Sequence, residues 1–240
     1  MIVLFTDYGT ADPYVGQVHA VLAQQAPGTA IVDLFHDVPS HDIRAAAYLL
    51  PAYTRGFPPG TVHVCVVDPG VGSERRALLV KADQRWYVGP DNGLFHILAR
   101  RARVLDCQEI RWCPPQLSAS FHGRDLFAPV AAQLARGQMP DCVPAALAPP
   151  IPDWPEDLPQ VLYIDHFGNV ITGLRAERLG RDARVRIGGA VLDYARTYSE
   201  TGKGAGLWYE NANGLVEIAV NQGSASTQFR ISLGDLVHVV

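Results

Sequence analysis

Three polar residues of this sequence, Asp68, Arg75 and His122, have the side chains that an acid/base site needs. Asp68 follows the apolar run 62–67 and precedes the turn-forming stretch 69–72. Strand ends that open into glycine-rich turns are where α/β folds place ligands, because the backbone there can approach a bound molecule closely. Arg75, in the same segment, is expected to be the counter-charge of Asp68. His122 precedes a predicted helix, so a ligand there could contact both the His122 imidazole and free backbone N–H groups. A carboxylate and an imidazole are both groups that can act in general acid/base catalysis.

A second carboxylate, Asp7, ends the apolar run 2–5, where the chain enters the turn sequence TDYGT. A β-type run followed by turn residues predicts a strand that stops at Asp7. Asp7 and Asp68 therefore occupy equivalent positions at the ends of two predicted strands.

Alternating strand and helix patterns are predicted to position these groups. After the first strand, Asp12 is expected to cap a helix that has Pro13 at its first position and ends near residue 27. Further strands are predicted over 30–35 and 62–67, a helix over 42–53, a hairpin over 77–88, and helices over 94–101 and 126–136. The order strand, helix, strand, helix, strand indicates crossover units and a mostly parallel sheet. The fold class predicted for the first part is an N-terminal α/β domain.

A proline-rich stretch separates this part from the rest of the chain. Prolines at positions 149, 150, 152, 155 and 159 predict a semi-rigid spacer. We therefore expect an α/β domain over 1–148, a linker over 149–160 and a second domain over 161–240. Short β-rich runs with Gly, Asn and Ser turns predict that the second domain is small and β-barrel-like.

Composition limits the possible partners and cofactors. The chain has 240 residues and a net charge of −4, and no Lys/Arg cluster is interleaved with aromatic residues, so nucleic acid is not expected as a partner. No apolar run approaches the length of a membrane helix, and no basic leader precedes the first apolar residues, so a cytoplasmic protein is expected. The four cysteines show no metal-ligand or disulfide spacing, and we expect no metal and no cofactor.

Six motifs together carry a family resemblance, and they occur in the same order as in that family. They are FTDYGTADPYVG at 5–16, VVDPGVGSERR at 66–76, GPDNGLF at 89–95, SFHGRDLFAP at 120–129, DHFGNVITG at 165–173 and NGLVEIAVNQGSA at 213–225. The chain resembles the S-adenosylmethionine (SAM) hydrolases, also called SAM hydroxide adenosyltransferases, which are relatives of the fluorinase and the chlorinase. The resemblance implies attack of water on C5′ of SAM, giving adenosine and L-methionine.

The same resemblance implies a role for each matching residue. Asp68, Arg75 and His122 match a water-activating triad, and Asp7 matches the carboxylate that holds the ribose hydroxyls. The substrate contacts implied in the second domain are Asp165 for the methionine ammonium, Asn169 for adenine, and the backbone of Asn221 and Gln222 near the base. The resemblance also implies a homotrimer with its sites at subunit interfaces.

Three other functions stay open at this stage besides the hydrolysis of SAM. A halogenase-type adenosyltransferase is disfavoured because the halogenases carry tyrosine at the place of Asp68 and lack His122, whereas His41 stands where the fluorinase has an aromatic wall residue. A non-catalytic SAM or adenosine sensor need not keep Asp68, Arg75 and His122 together. A nucleotide hydrolase is disfavoured because neither phosphate-binding glycine motif is present.

Overall fold

The computed structural model describes residues 1–149, 151 and 153–240, which form two compact units, Met1–Pro152 and Asp153–Val240. Pro150 and Pro152 of the predicted linker lie outside the described residues. The helices of the first unit are α1 (Tyr14–Gln25), α2 (Ile43–Thr54), α3 (His96–Arg101) and α4 (Ala128–Ala135). Its strands are β1 (Ile2–Thr6), β2 (Ile31–Phe35), β3 (Val62–Val66), β4 (Ala77–Ala82), β5 (Arg85–Pro90), β6 (Leu105–Ile110) and β7 (Cys142–Pro144).

The first unit is built on one seven-stranded sheet with the order β2-β1-β3-β5-β4-β6-β7. The pairs β1–β2, β1–β3 and β3–β5 are parallel, and β4 and β7 run against their neighbours. Side chains of α1 and α4 share a core with one face of the strands, and α2 bonds to the opposite face through Thr54 and Tyr87. Because both faces are covered, β1 and β3 are buried at every position. The mostly parallel α/β class expected from the sequence is confirmed.

The sheet order creates a crevice at the carboxyl ends of β1 and β3. From β1 the chain crosses to β2 on one side, and from β2 it returns to β3 on the other side of β1. The two connections leave in opposite directions, so a gap opens between the loops that follow β1 and β3. Asp7 and Asp68 follow these two strands, and the Asp7 N–H donates to the Val66 carbonyl at 3.3 Å.

Three local features differ from the sequence prediction. Asp12 does not cap α1, because Pro13 itself stands at the N-cap position and no side chain caps the helix. The turn-forming stretch 69–72 does not join neighbouring strands: β5 lies between β3 and β4, so this segment crosses the end of β5, whereas the hairpin predicted over 77–88 is present as β4 and β5. The helix expected over 126–136 begins earlier, as one π-helical turn, Gly123–Phe127. Pro129 lacks the N–H of a regular helical bond and its ring crowds the preceding turn, which favours this wider turn.

The second unit is built from short strands, as the sequence predicts, and these strands pair antiparallel. Its strands are β8 (Leu158–Ile164), β9 (Val170–Arg175), β10 (Val185–Ile187), β11 (Ala190–Leu192), β12 (Gly206–Glu210), β13 (Leu215–Val220) and β14 (His238–Val239). They form a sheet of order β12-β13-β9-β8 and a sheet of order β11-β10-β14, with the short helix α5 (Ala225–Gln228) after β13. Across residues 153–240 these two sheets are separate and do not close into one barrel.

Strand β8 begins inside the stretch expected to be linker. Pro159 is its second residue, and the pairing of β8 with β9 is irregular between Leu158 and Val161. β8 is the last strand of its sheet. An edge position and an irregular pairing both tolerate the missing N–H of proline, which explains why the strand extends further than the sequence suggested.

Two features of the described residues concern membranes and thiols. No helix of this part of the chain has both the length and the apolar character needed to cross a bilayer. All four cysteines are free: Cys65 is buried, Cys107 and Cys142 are half-buried, and Cys113 is exposed.

Candidate active site

A cleft of about 550 Å³ opens in the first unit at the crevice between β1 and β3. The loops after β1, β2 and β3 and the loop before α4 supply its lining, which comprises residues 7–9, 12, 14, 40, 41, 66, 68, 69, 71 and 120–123. Asp7, Asp68 and His122, three of the residues singled out from the sequence, share this one cleft. Asp12, expected to be a helix cap, lines the cleft as well.

Asp68, Arg75 and His122 form one hydrogen-bonded group. The Arg75 Nε lies 2.9 Å from each carboxylate oxygen of Asp68, and Arg75 Nη2 lies 2.5 Å from Asp68 Oδ2. The same Nη2 donates to His122 Nδ1 at 2.8 Å. The side chains of Asp68 and Arg75 are 4% and 9% exposed, so the ion pair is shielded from solvent. Arg75 contacts both Asp68 and His122, and it does not itself line the cleft.

The bond from Arg75 fixes the protonation of His122. A guanidinium can only donate, so Nδ1 must accept, and the neutral ring carries its hydrogen on Nε2. Burial lowers the pKa of His122, and the Arg75 guanidinium lowers this pKa further, against the opposing effect of Asp68 and Asp125. The imidazole is therefore neutral near pH 7, with Nε2–H as a donor.

Gly72 allows the loop that carries Asp68 and Arg75 to lie against the loop that carries His122. Its φ is +82°, and a Cβ atom there would stand 2.4 Å from the Ala119 carbonyl oxygen. Any other residue would force the two loops apart. The close approach of backbone to backbone thus assembles the group.

Asp7 lines the same cleft. Its Oδ2 accepts the backbone N–H of His41 at 3.0 Å, and His41 has a φ of 65°. The next residue, Tyr8, is partly buried. Burial raises the pKa of its hydroxyl, and the nearby carboxylates of Asp7 and Asp68 raise this pKa further. The hydroxyl fits only because Gly123 has no side chain: a Cβ there would stand 1.9 Å from Tyr8 Oη. Tyr8 and Gly123 lie within two of the family motifs but were not singled out from the sequence, because the packing contact between them cannot be read from the motifs.

A second cleft, of about 580 Å³, lies entirely in the second unit. Its lining consists of Phe167, Asn169, Tyr198, Val220, Asn221, Gln222 and Gly223. Three residues predicted from the sequence are therefore found here, and Asp165 adjoins them through Asn169. Phe167 is 73% exposed, which leaves an aromatic ring available at the cleft.

Asp165 and Asn169 close a tight turn between β8 and β9. Asp165 Oδ1 accepts the N–H groups of Phe167 and Asn169 at 2.9 and 2.8 Å, and Oδ2 accepts Asn169 Nδ2 at 3.0 Å. Asn169 Nδ2 also donates to Tyr198 Oη at 3.2 Å. Both hydrogens of the amide are thus used, and its acceptor, Oδ1, remains to bond a ligand donor.

Asn221 contributes to the wall of the second cleft through structural bonds. Its N–H donates to Ala205 at 3.0 Å, its carbonyl accepts from Gly204 at 2.8 Å, and its side chain donates to Thr201 at 2.8 Å. Gln222, with a φ of 57°, turns the chain at the rim.

No three His, Cys, Asp or Glu side chains of the described residues are grouped so that they could hold a metal ion. The hydrogen-bonded groups at the two clefts are instead Asp68, Arg75 and His122 at the first, and Asp165, Asn169 and Tyr198 at the second.

Comparison with known families finds matches in both parts of the chain. Residues 2–143 match the model of the SAM hydroxide adenosyltransferase N-terminal domain, and residues 159–238 match the model of the C-terminal domain of the same family.

Individual proteins are similar over nearly the whole length. A protein of Thermus thermophilus named (R)-S-adenosyl-L-methionine hydrolase is 43% identical, with 93% of each chain covered. A protein of the same name from Salinispora arenicola is 41% identical over 98% of this chain and 95% of its own. Among solved structures, an uncharacterised conserved protein of Thermotoga maritima has a TM-score of 0.86 at 32% identity, covering 100% of both chains.

Proposed function

The chain belongs to the SAM hydroxide adenosyltransferase family, and we propose from this that it hydrolyses S-adenosyl-L-methionine to adenosine and L-methionine. The observation that carries the proposal is the group formed by Asp68, Arg75 and His122 in the cleft of the first unit. This group suits a reaction whose nucleophile is water and whose leaving group is a neutral thioether.

The reaction forms one bond and breaks another at C5′. Water oxygen attacks C5′, the C5′–S bond breaks, and the sulfur takes the electron pair and becomes the thioether of methionine. No acid is needed on the departing side, whereas the attacking water becomes a protonated alcohol that must lose a proton. Asp68 is the acceptor of that proton. The Nε2–H of His122 holds the water oxygen, and orientation of the water against C5′ supplies much of the acceleration.

Arg75 acts as a positioning residue in this scheme. It contacts both Asp68 oxygens and His122 Nδ1, so one planar cation fixes the proton acceptor and the imidazole relative to each other. A neutral His122 also avoids placing a further positive charge beside the sulfonium of the substrate.

The remaining predicted residues bind the substrate. Asp7 receives the ribose hydroxyls, Asp165 the methionine ammonium, and Asn169 Oδ1 the amino group of adenine, with Asn221 and Gln222 beside the base. The similar proteins of Thermus and Salinispora are named for the R configuration at sulfur, and we extend that preference to this chain.

The test is to incubate the protein with separated R and S epimers of SAM in oxygen-18 water and to analyse the products by mass spectrometry. We expect labelled adenosine and unlabelled methionine, formed faster from the R epimer. Binding without turnover would favour the sensor, and turnover only with added chloride or fluoride would favour the halogenase.

We further propose that the enzyme is a homotrimer in which the first unit of one subunit and the second unit of its neighbour complete each site. The support is that each unit carries only part of the required set, with the water-activating group in one and the adenine-binding amide in the other. A contact of this heterologous kind can close into a ring.

Complementation tests the shared site. Asp68→Ala and Asn169→Ala proteins, each poorly active, are unfolded together and refolded as a mixture, and sedimentation gives the oligomeric state. With shared sites, some pockets of mixed trimers contain both native residues and activity returns. If activity stays at the level of the two separate proteins, the site is contained within one chain.

A further inference from the structure

The second unit contains a chain of hydrogen bonds that the proposed reaction does not use. It runs from Asn169 through Tyr198 and Tyr209 to Glu217. Asn169 Nδ2 lies 3.2 Å from Tyr198 Oη, the two tyrosine oxygens are 2.8 Å apart, and the Tyr209 hydroxyl donates to Glu217 Oε1. Glu217 is 7% exposed, and burial raises its pKa. A buried carboxylate thus lies at the far end of a chain that begins in the cleft.

The direction of every bond in this chain is determined. Tyr209 gives its only hydrogen to Glu217, so the bond between the two tyrosines must use the hydrogen of Tyr198. The Tyr198 oxygen is then an acceptor for Asn169 Nδ2. Each hydroxyl therefore donates toward Glu217, and the amide is held with its nitrogen toward Tyr198 and Asp165.

The far end of the chain is fixed as well. Asn211 Oδ1 accepts the N–H groups of Asn213 and Leu215 at 2.9 and 3.0 Å, so Asn211 must present its Nδ2 to Glu217 Oε2, at 3.0 Å. Glu217 thereby receives a donor on each of its two oxygens. Only a side chain with two acceptor atoms satisfies both neighbours while both of them donate.

We propose that Glu217, Tyr209 and Tyr198 are positioning residues that set the amide orientation of Asn169 and so make the site select a base with an amino group. Asn169 Oδ1, left facing the ligand, accepts from the amino group of adenine and opposes the carbonyl of hypoxanthine. The inference rests on the proposed function in that it takes adenosine as a ligand. When a buried acceptor in a site bonds a donor group of the ligand, the site discriminates strongly against an analogue that lacks that donor.

Glu217→Gln is the diagnostic variant because it reverses the direction of the hydrogen bonds, and the glutamine side chain has the same shape as glutamate. Asn211 requires an acceptor, so the glutamine must turn its oxygen toward Asn211 and its Nε2–H toward Tyr209. Tyr209 then donates to Tyr198, and the Tyr198 hydrogen points at Asn169 Nδ2, where two donors oppose each other. Tyr209→Phe, in contrast, removes a link and leaves Tyr198 free to accept from the amide.

The experiment measures the dissociation constants of adenosine and inosine by calorimetry on the full-length protein. We expect the ratio of inosine to adenosine constants to fall at least about tenfold in Glu217→Gln and less than about threefold in Tyr209→Phe. The double variant should return to the value of Tyr209→Phe, because the reversed chain is then disconnected. Tyr194→Phe, a matched change at a tyrosine that contacts Trp208 instead of this chain, should keep the wild-type ratio.

Three results would overturn the inference. They are an unchanged ratio of dissociation constants in Glu217→Gln, a double variant whose ratio stays as low as that of Glu217→Gln, and a wild-type protein that binds both nucleosides equally. A wild-type protein that binds no adenosine would refute the proposed function itself. Thermal unfolding checks that each variant folds. If Glu217→Gln does not fold, Tyr198→Phe replaces it: a ratio lowered at least about threefold supports the chain and an unchanged ratio overturns it.

Discussion

Replacing His63 by phenylalanine is expected to remove an acid sensitivity that burial creates in the first unit. His63 lies on β3, is 0% exposed, and is stacked on Tyr87 with ring centroids 4.6 Å apart. Its Nδ1 bonds to the Trp86 carbonyl at 3.1 Å, whereas Nε2 has no hydrogen-bond partner within the described residues. Burial lowers the pKa of His63 from 6.5 to about 4, with a partly opposing effect of the Trp86 bond.

The magnitude follows from this difference in pKa. Between pH 6.5 and about 4 the unfolded chain binds a proton on His63 that the folded chain does not. The contribution of neutral His63 to the unfolding free energy is complete above pH 6.5, and it declines as the pH falls toward the pKa of His63 in the folded state. Since one pKa unit corresponds to about 1.4 kcal/mol, His63 alone should account for a loss of about 3 kcal/mol.

The assay is urea unfolding, followed by tryptophan fluorescence, of wild type and His63→Phe at several pH values from 7 to 4.5. Phenylalanine preserves a ring against Tyr87 but cannot titrate, and it loses the bond to Trp86 at a cost of about 1 kcal/mol that does not vary with pH. As the pH falls from 7 to 4.5, we expect the unfolding free energy of wild type to decrease by about 2 to 3 kcal/mol more than that of His63→Phe. His238→Phe, at an exposed site, is the control. A difference that stays constant with pH would refute the reasoning.

Three further predictions concern the cleft of the first unit. Asp68→Asn should lower kcat about 100-fold or more while the adenosine dissociation constant changes less than about threefold, since the carboxylate is proposed to act on water. Steady-state rates and calorimetry check this prediction, and a near-normal kcat would contradict the assignment. Activity should fall as the pH drops, with a midpoint below 6.5, because protonated His122 loses the Nδ1 acceptor that Arg75 needs; a midpoint above 6.5 in the profile of kcat/KM would speak against a lowered pKa. Gly72→Ala should cost at least about 2 kcal/mol in urea unfolding, because of its positive φ and the contact with Ala119, whereas Gly56→Ala, with nothing within 4 Å, should cost much less.

The positions of Asp7 and Asp68 could be predicted because a strand end is a local property of the sequence. An apolar run that stops at a carboxylate and a turn contains the whole signal. The spacing likewise indicated Arg75 as a partner of Asp68. What the spacing could not indicate is the bond from Arg75 Nη2 to His122 Nδ1, because it joins residues 47 positions apart.

Features that depend on pairing between strands were missed for the same reason. Tyr209 and Glu217 are direct partners across β12 and β13, and this register brings them into contact. The register depends on the turn and on which face of each strand is buried, so a one-residue slip would place the two side chains on opposite faces. The position of β4 beyond β5 is also a property of the assembled sheet.

The sequence predicts Arg75 as a counter-charge for Asp68, and the structure gives it a more specific role. As a counter-charge it needs only to lie near Asp68, and a lysine would serve equally well. The structure gives it three acceptors in two directions: both oxygens of Asp68 and Nδ1 of His122. Only a planar group with several fixed donors can satisfy these acceptors together, and a guanidinium cannot give up its proton to either partner. The same geometry leaves the carboxylate able to accept a proton and the imidazole able to donate from Nε2, the two roles that the proposed attack of water requires.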